Sequence, residues 1–140
     1  PNVFIAYYVY PELLSNSEWL ACFKKVLPML WNEWGGLSTI AKDHPFYTDT
    51  HTGVNNKSYH RGDSWYWLNN LAAICMARVS RFTFRKEIKA ILDASTREIL
   101  WSGAVGHHAE ISSSKQQESK GCLMQAWSAA MYVEMAEELF

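Results

Sequence analysis

The chain has 140 residues, a net charge of −1, 49% hydrophobic and 19% charged side chains, a balance that fits one globular domain over 1–140 and excludes a disordered chain. The near-neutral charge with no basic block argues against nucleic acid as a partner, and no apolar run is long enough to span a membrane. Aromatics reach 14%, with seven Trp, more than a small core needs, which points to an aromatic-lined cleft for a flat-faced ligand.

Residues 3–10, VFIAYYVY, form a continuous apolar run before Pro11. Propensity reads it as a buried strand, and a helix buried on all sides satisfies the same pattern. A helix follows, with Ser17 as the expected N-cap and Trp19, Phe23, Val26, Leu27, Leu30 and Trp31 at helical spacing. Pro28 predicts a kink or short break, and Gly35-Gly36 the end of the segment.

Residues 37–62 show no sustained period and read as a long loop, uncommon in a compact domain unless it builds a site. A second helix is expected over about 64–80, capped by Asp63 or Ser64, with Trp65, Leu68, Leu71, Ala72, Cys75, Met76 and Val79 as its apolar stripe. A third runs from about 84 to 101, capped by Thr83, with Phe84, Ile88, Ile91, Leu92 and Ile99 inward and Gly103 as its stop. After a second polar loop, a last helix spans about 122–138 and packs through Trp127, Met131 and Met135. The fold class is all-α, built from antiparallel helix hairpins, with both long loops gathered at one end.

Cys22, Cys75 and Cys122 are odd in number and far apart, so neither a disulfide framework nor a zinc cluster has support. Reduced thiols in a cytoplasmic protein are the expectation. With no initiator Met and no signal-peptide pattern, the chain reads as part of a longer polypeptide.

Two stretches carry candidate chemistry. The first, WSGAVGHHAEISSSKQQESKGCLMQAWS, sets Glu110 beside His107 and His108 and between Trp101 and Trp127 in sequence. By residue type alone, an acid in a Ser-rich loop is a solvated group. The alternative is a general base that activates water, which needs a carboxylate held near an apolar wall. His107, His108 and His60 suggest a metal only weakly, because no ligand spacing completes a site and H-E-x-x-H is absent. The second stretch is YHRGDSWYWLNN. Asp63 fits a helix cap or a hydroxyl contact. Trp65 and Trp67 point in different directions on a helix, so one serves the core and the other a cleft. His60 and Arg61 stand just before the helix start, where side chains and free backbone N–H groups meet a ligand. Nucleotide-binding glycine motifs and the G-x-S-x-G nucleophile turn are absent.

YHRGDSWYWLNN, GAVGHHAEISSSK and GCLMQAWSAA, in that order, resemble the C-terminal amylo-α-1,6-glucosidase domain of glycogen debranching enzymes. The archaeal and bacterial form is the most similar, and glucoamylase-like helical-barrel glycosidases resemble it more distantly. The opening PN and the loop GLSTIAKDHPFYTDTHTG fit too, so the resemblance covers essentially the whole chain. It implies the C-terminal portion of a six-hairpin α/α barrel, in which the first apolar run is a helix. It implies hydrolysis, with inversion, of the α-1,6-linked glucose at branch points of glycogen or a limit dextrin, without metal or organic cofactor. The family's loop acid, its general base, falls on Glu110, here in Ala109-Glu110-Ile111 where many relatives have Pro-Glu-Leu. Its general acid, an Asp, lies upstream and matches no position of this chain, so the fragment alone is expected to be inactive. His60, Arg61, Asp63, Trp65, Trp67, His108 and Trp127 are the expected sugar contacts. The remainder of the parent enzyme is the expected partner, and self-association through exposed helix faces is expected of an incomplete barrel. Two rivals stay open: a non-catalytic carbohydrate-binding or assembly module, and a glucoamylase-like α-1,4-glucosidase.

Overall fold

The opening apolar run folds as a helix. In the computed structural model, which describes residues 1–140, α1 covers Asn2–Val9. Burial overrides strand propensity here. Phe4 and Tyr7 drop into an aromatic cluster with Trp19 and Phe23, the rings of Phe4 and Phe23 lying 4.6 Å apart. Pro11 opens a 3-10 turn, Pro11–Leu13, that separates α1 from the next helix.

Helix α2 covers Asn16–Leu30, and its cap is Ser15 rather than the expected Ser17. Ser15 Oγ accepts from the Glu18 N–H while the Glu18 carboxylate accepts from the Ser15 N–H at 2.9 Å, a reciprocal capping box. That box needs the acid three positions after the cap, a spacing only Ser15 has. Ser15→Ala should cost about 1 kcal/mol, read as a lower urea midpoint at unchanged slope. The helix continues through Pro28, which forgoes one backbone bond near an end that follows at Leu30. Gly35-Gly36 therefore does not stop a helix. It turns a hairpin in which β1, Trp31–Asn32, pairs antiparallel with β2, Gly36–Leu37. Gly35, at φ +101, presses against the Ala90 backbone so closely that a Cβ would overlap it.

The 37–62 region is a loop apart from its hairpin strand and one 3-10 turn, Gly53–Asn55. It leads into β3, Ser64–Trp65, and then α3, Tyr66–Ser80. Neither Asp63 nor Ser64 caps α3. Asp63 turns away to His51 and Ser58, and Ser64 Oγ accepts from the Leu37 N–H and the Asn69 side-chain amide. The first N–H of α3, on Tyr66, is instead taken by the carbonyl of Glu110 at 3.2 Å. Helix α3 is the centre of the molecule. It is buried on nearly every side, with Leu68 to Met76 all out of solvent, and packs on α1 and α2 and on both helices that follow. The predicted stripe thus marks one face of a helix that is buried almost all round, with Asn69 and Asn70 as its buried polar residues.

Helix α4 covers Arg85–Trp101, with Phe84 in the cap position; Thr83 bonds back to Ser80 instead. Its inward row is Ile88, Ile91, Ala94, Ser95 and Glu98, whereas Leu92 and Ile99 are only half-buried. The row steps by three and four residues through a carboxylate, which the hydrophobic pattern passes over. A second loop then carries β4, Ile111–Ser112, which pairs antiparallel with β3. Helix α5 covers Ala126–Leu139, starting later than expected because Cys122 to Gln125 are tied to the loop. It packs through Ser128, Met135 and Leu139, and Trp127 is 52% exposed rather than a packing residue.

The architecture is all-α, as the pattern predicts, with five α-helices and only two-residue strands. No helix is long and apolar enough to cross a membrane. Large apolar side chains stay at the surface at Val9, Tyr10, Leu13, Phe82, Trp101 and Phe140.

Candidate active site

The two long loops meet at the N-terminal end of α3. The β3–β4 pair joins Ser64 to Ser112 and Trp65 to Ile111. Lys115 N–H donates to the Asp49 carbonyl at 2.9 Å, Trp34 Nε1 donates to the Ser114 carbonyl at 3.2 Å, and Ser114 Oγ donates to the Gly62 carbonyl. Gly62 lies so close to the Thr48 backbone that a Cβ there would overlap its carbonyl oxygen. Serine hydroxyls and glycine backbone thus hold together two segments with no hydrophobic core of their own.

Glu110 sits at this junction and is only 9% exposed. Tyr59 OH donates to its Oε1, and the Cys122 N–H donates to its Oε2 at 3.0 Å. Its backbone is fixed as well, N–H to the Cys122 carbonyl at 2.8 Å and carbonyl to Tyr66 N–H. Tyr59 stacks edge-on against Trp65 at 4.6 Å, and Trp65 Nε1 donates to the Tyr59 carbonyl at 2.9 Å. The carboxylate is therefore held at an aromatic wall by one donor on each oxygen. Burial first, then the hydrogen bond and charge of Glu110, push the Tyr59 hydroxyl up to about 12 from 10.0. A folded value above the unfolded one favours the protonated fold. That contribution is complete below pH 10 and is lost as pH rises through about 12. In Tyr59→Phe this part of the alkaline fall in stability should be missing, which urea titrations of both proteins between those pH values will read.

The other predicted residues divide into three groups. His60 is exposed and stacks on Trp65 at 5.6 Å with an interplanar angle of 11°. With Trp67, Leu68, Ile5 and Thr39, both rings line a cavity of about 410 Å³, within the ~300–1,000 Å³ range of small-molecule clefts. Glu110 does not line that cavity; Tyr59 and Trp65 connect the two. Trp127, half-exposed, sits 6.5 Å from Trp65 and extends the aromatic surface. Arg61 is exposed with its guanidinium 5.3 Å above the Phe46 ring.

Asp63 and His108, by contrast, are sealed. Asp63 is fully buried, and its Oδ2 accepts from His51 Nδ1 at 2.7 Å and Ser58 Oγ at 2.8 Å. His108 is fully buried too, with Nδ1 at 2.5 Å from Glu98 Oε2 and its ring against Tyr66. Neither presents a surface to a ligand. Trp101, 77% exposed, lines a separate groove with Leu92, Tyr132 and Phe140 rather than flanking Glu110. His60, His107 and His108 do not converge, and no group of three metal-ligating side chains comes together.

Sequence reasoning missed Tyr59, His51 and Glu98. Glu98 had a signal: it falls on the inward row of α4, a carboxylate where an apolar residue is expected. Tyr59 and His51 had none, because their partners are set by how the loops meet.

A family model described as amylo-alpha-1,6-glucosidase matches residues 1–134. A search of curated proteins finds no match.

Proposed function

Because the chain belongs to the amylo-alpha-1,6-glucosidase family, a debranching-type glycoside hydrolase, we propose that it supplies the water-activating base for inverting cleavage of α-1,6-linked glucose. The substrate is a branch point of glycogen or a limit dextrin, and the base is Glu110. One observation carries this reading. Glu110 is the loop acid whose two oxygens are each fixed by a donor, at the edge of a half-buried indole on which an exposed imidazole stacks.

The chemistry follows from that placement. A water on a free lone pair of Glu110 attacks the anomeric carbon. As the new C–O bond forms, the carboxylate takes the water's proton and the bond to the 6-oxygen breaks. That oxygen needs a proton from a second carboxyl group about 6.5–9.5 Å away. Asp63 is fully buried with its Oδ2 held by His51 and Ser58, which supports assigning the acid to another residue. Trp65, Trp67, His60 and Trp127 give flat faces for sugar rings, and Arg61 offers donors to hydroxyls. No cofactor is required. The exposed apolar side chains support a place within a larger helical barrel, of which the rest of the polypeptide is the partner. The free thiols support a cytoplasmic setting.

The test uses the full-length polypeptide with a 1,6-branched dextrin and with linear maltooligosaccharide of equal size, followed by NMR. Glucose should appear from the branched substrate alone, as the β-anomer first. Release from the linear substrate alone would favour an α-1,4-glucosidase, and binding without turnover a carbohydrate-binding module.

A further inference from the structure

Glu98 is the one acid on the inward row of α4, and it is fully buried. Its carboxylate accepts three hydrogen bonds. Oε2 takes His108 Nδ1 at 2.5 Å and the Ala109 N–H at 3.2 Å; Oε1 takes Ser119 Oγ at 2.8 Å. The far side of His108 is also fixed. Asn70 Nδ2 reaches His108 Nε2 at 3.3 Å and the Ser128 carbonyl at 3.4 Å, while Asn70 Oδ1 accepts from Ser95 Oγ at 2.6 Å. Only one assignment satisfies every donor: both amide hydrogens of Asn70 are used, His108 Nε2 accepts, and the His108 proton sits on Nδ1 facing Glu98.

These contacts fall on both flanks of Glu110. His108 and Ala109 precede it directly. Ser119 precedes Lys120, Gly121 and Cys122, the segment that folds back over it: Lys120 and Ile111 exchange backbone hydrogen bonds, and Cys122 N–H holds the Glu110 Oε2. One carboxylate on a helix thus ties together the loop segments on either side of the candidate base. Stability alone does not call for it. Burying a carboxylate carries a desolvation cost, and apolar replacements of buried ionic groups are often neutral.

We propose that Glu98 is a positioning residue for Glu110, setting the carboxylate relative to the sugar through His108, Ala109 and Ser119. This rests on the reading of Glu110 as the base. It acts through geometry, so its loss should appear in turnover and not in substrate binding, since a displacement of about 1 Å costs up to about 10²-fold in rate.

The experiment measures kcat and KM of the full-length polypeptide on branched limit dextrin, with thermal melts, for Glu98→Ala, Glu98→Gln, Ser119→Ala and Glu110→Gln. Glu98→Ala should lower kcat about tenfold or more and leave KM within about twofold. Glu98→Gln should recover most of that loss, because its amide oxygen serves His108 and Ala109 while its nitrogen donates to Ser119 Oγ. Ser119→Ala, which loses one of the three bonds, should lie between. Unchanged kcat in Glu98→Ala, a loss confined to KM, or a loss that tracks the folded fraction overturns the proposal. If Glu98→Ala does not fold, Ser119→Ala decides, and wild-type kcat there overturns it. Full activity in Glu110→Gln would sink the base assignment itself; an inactive Glu110→Gln beside unaffected Glu98 and Ser119 variants sinks only the positioning role.

Discussion

Glu110→Gln should leave the protein folded and cut glucose release by about 10²–10⁴-fold, the usual worth of a positioned general base. The fold survives because the amide fits the same two partners. Its oxygen faces the Cys122 N–H, and its nitrogen faces Tyr59, whose hydroxyl rotates from donor to acceptor. Volume and burial hardly change, so the melting temperature should stay within a few degrees. The amide cannot accept the water's proton, however, and bond formation at the anomeric carbon then leaves a charged oxonium with nowhere to deliver it. KM should change little, because the aromatic surface of Trp65, Trp67 and His60 is untouched. Azide supplies a further check. It is a nucleophile that needs no deprotonation, so it should restore turnover in Glu110→Gln and yield a β-glucosyl azide. Turnover at the wild-type rate without azide would show that another group carries the proton.

Regularly patterned elements were legible in the sequence, and sites set by long-range contact were not. Helix α3 announces itself through Leu68, Leu71, Ala72, Cys75, Met76 and Val79, all of them buried. Helix α1 is ambiguous because an unbroken apolar run has no phase; only the cluster with Trp19 and Phe23 selects a helix. The two-residue strands are too short to show any alternation, yet β3 and β4 are what join the loops. Asp63 is where a helix cap belongs by residue type, and it was claimed instead by His51, twelve positions earlier. Glu110 is the sharpest case. Its surroundings in sequence are serine and histidine, which read as solvated, and its Oε1 is held by Tyr59, separated by 51 positions. The resemblance of the GHHAEIS block to debranching enzymes singled it out; the local pattern alone did not.

Gly121 offers the sharpest test of how tightly that acid is held. It has φ +68, and a Cβ there would collide with Glu110 Oε2 while meeting the Glu110 Cβ at 3.1 Å and Cδ at 3.2 Å. Two penalties follow for Gly121→Ala. The left-handed backbone costs about 1–3 kcal/mol for a side chain that rarely adopts it. The collision is relieved most cheaply by moving the far end of a flexible side chain, and that end is the Glu110 carboxylate. Shifting it breaks the bond from Cys122 N–H, which lies beside Gly121, and pulls Oε1 away from Tyr59. Turnover should therefore fall about 10²-fold, with KM nearly unchanged and a modest loss in the urea midpoint. Gly106 is the internal control. It also has a positive φ, +86, but a Cβ there meets nothing within 4 Å, so Gly106→Ala carries the backbone strain without the collision. If the two variants lose stability alike but only Gly121→Ala loses turnover, the defect lies in the position of Glu110. Equal losses of turnover would trace the effect to loop strain and remove the argument for close packing around the base.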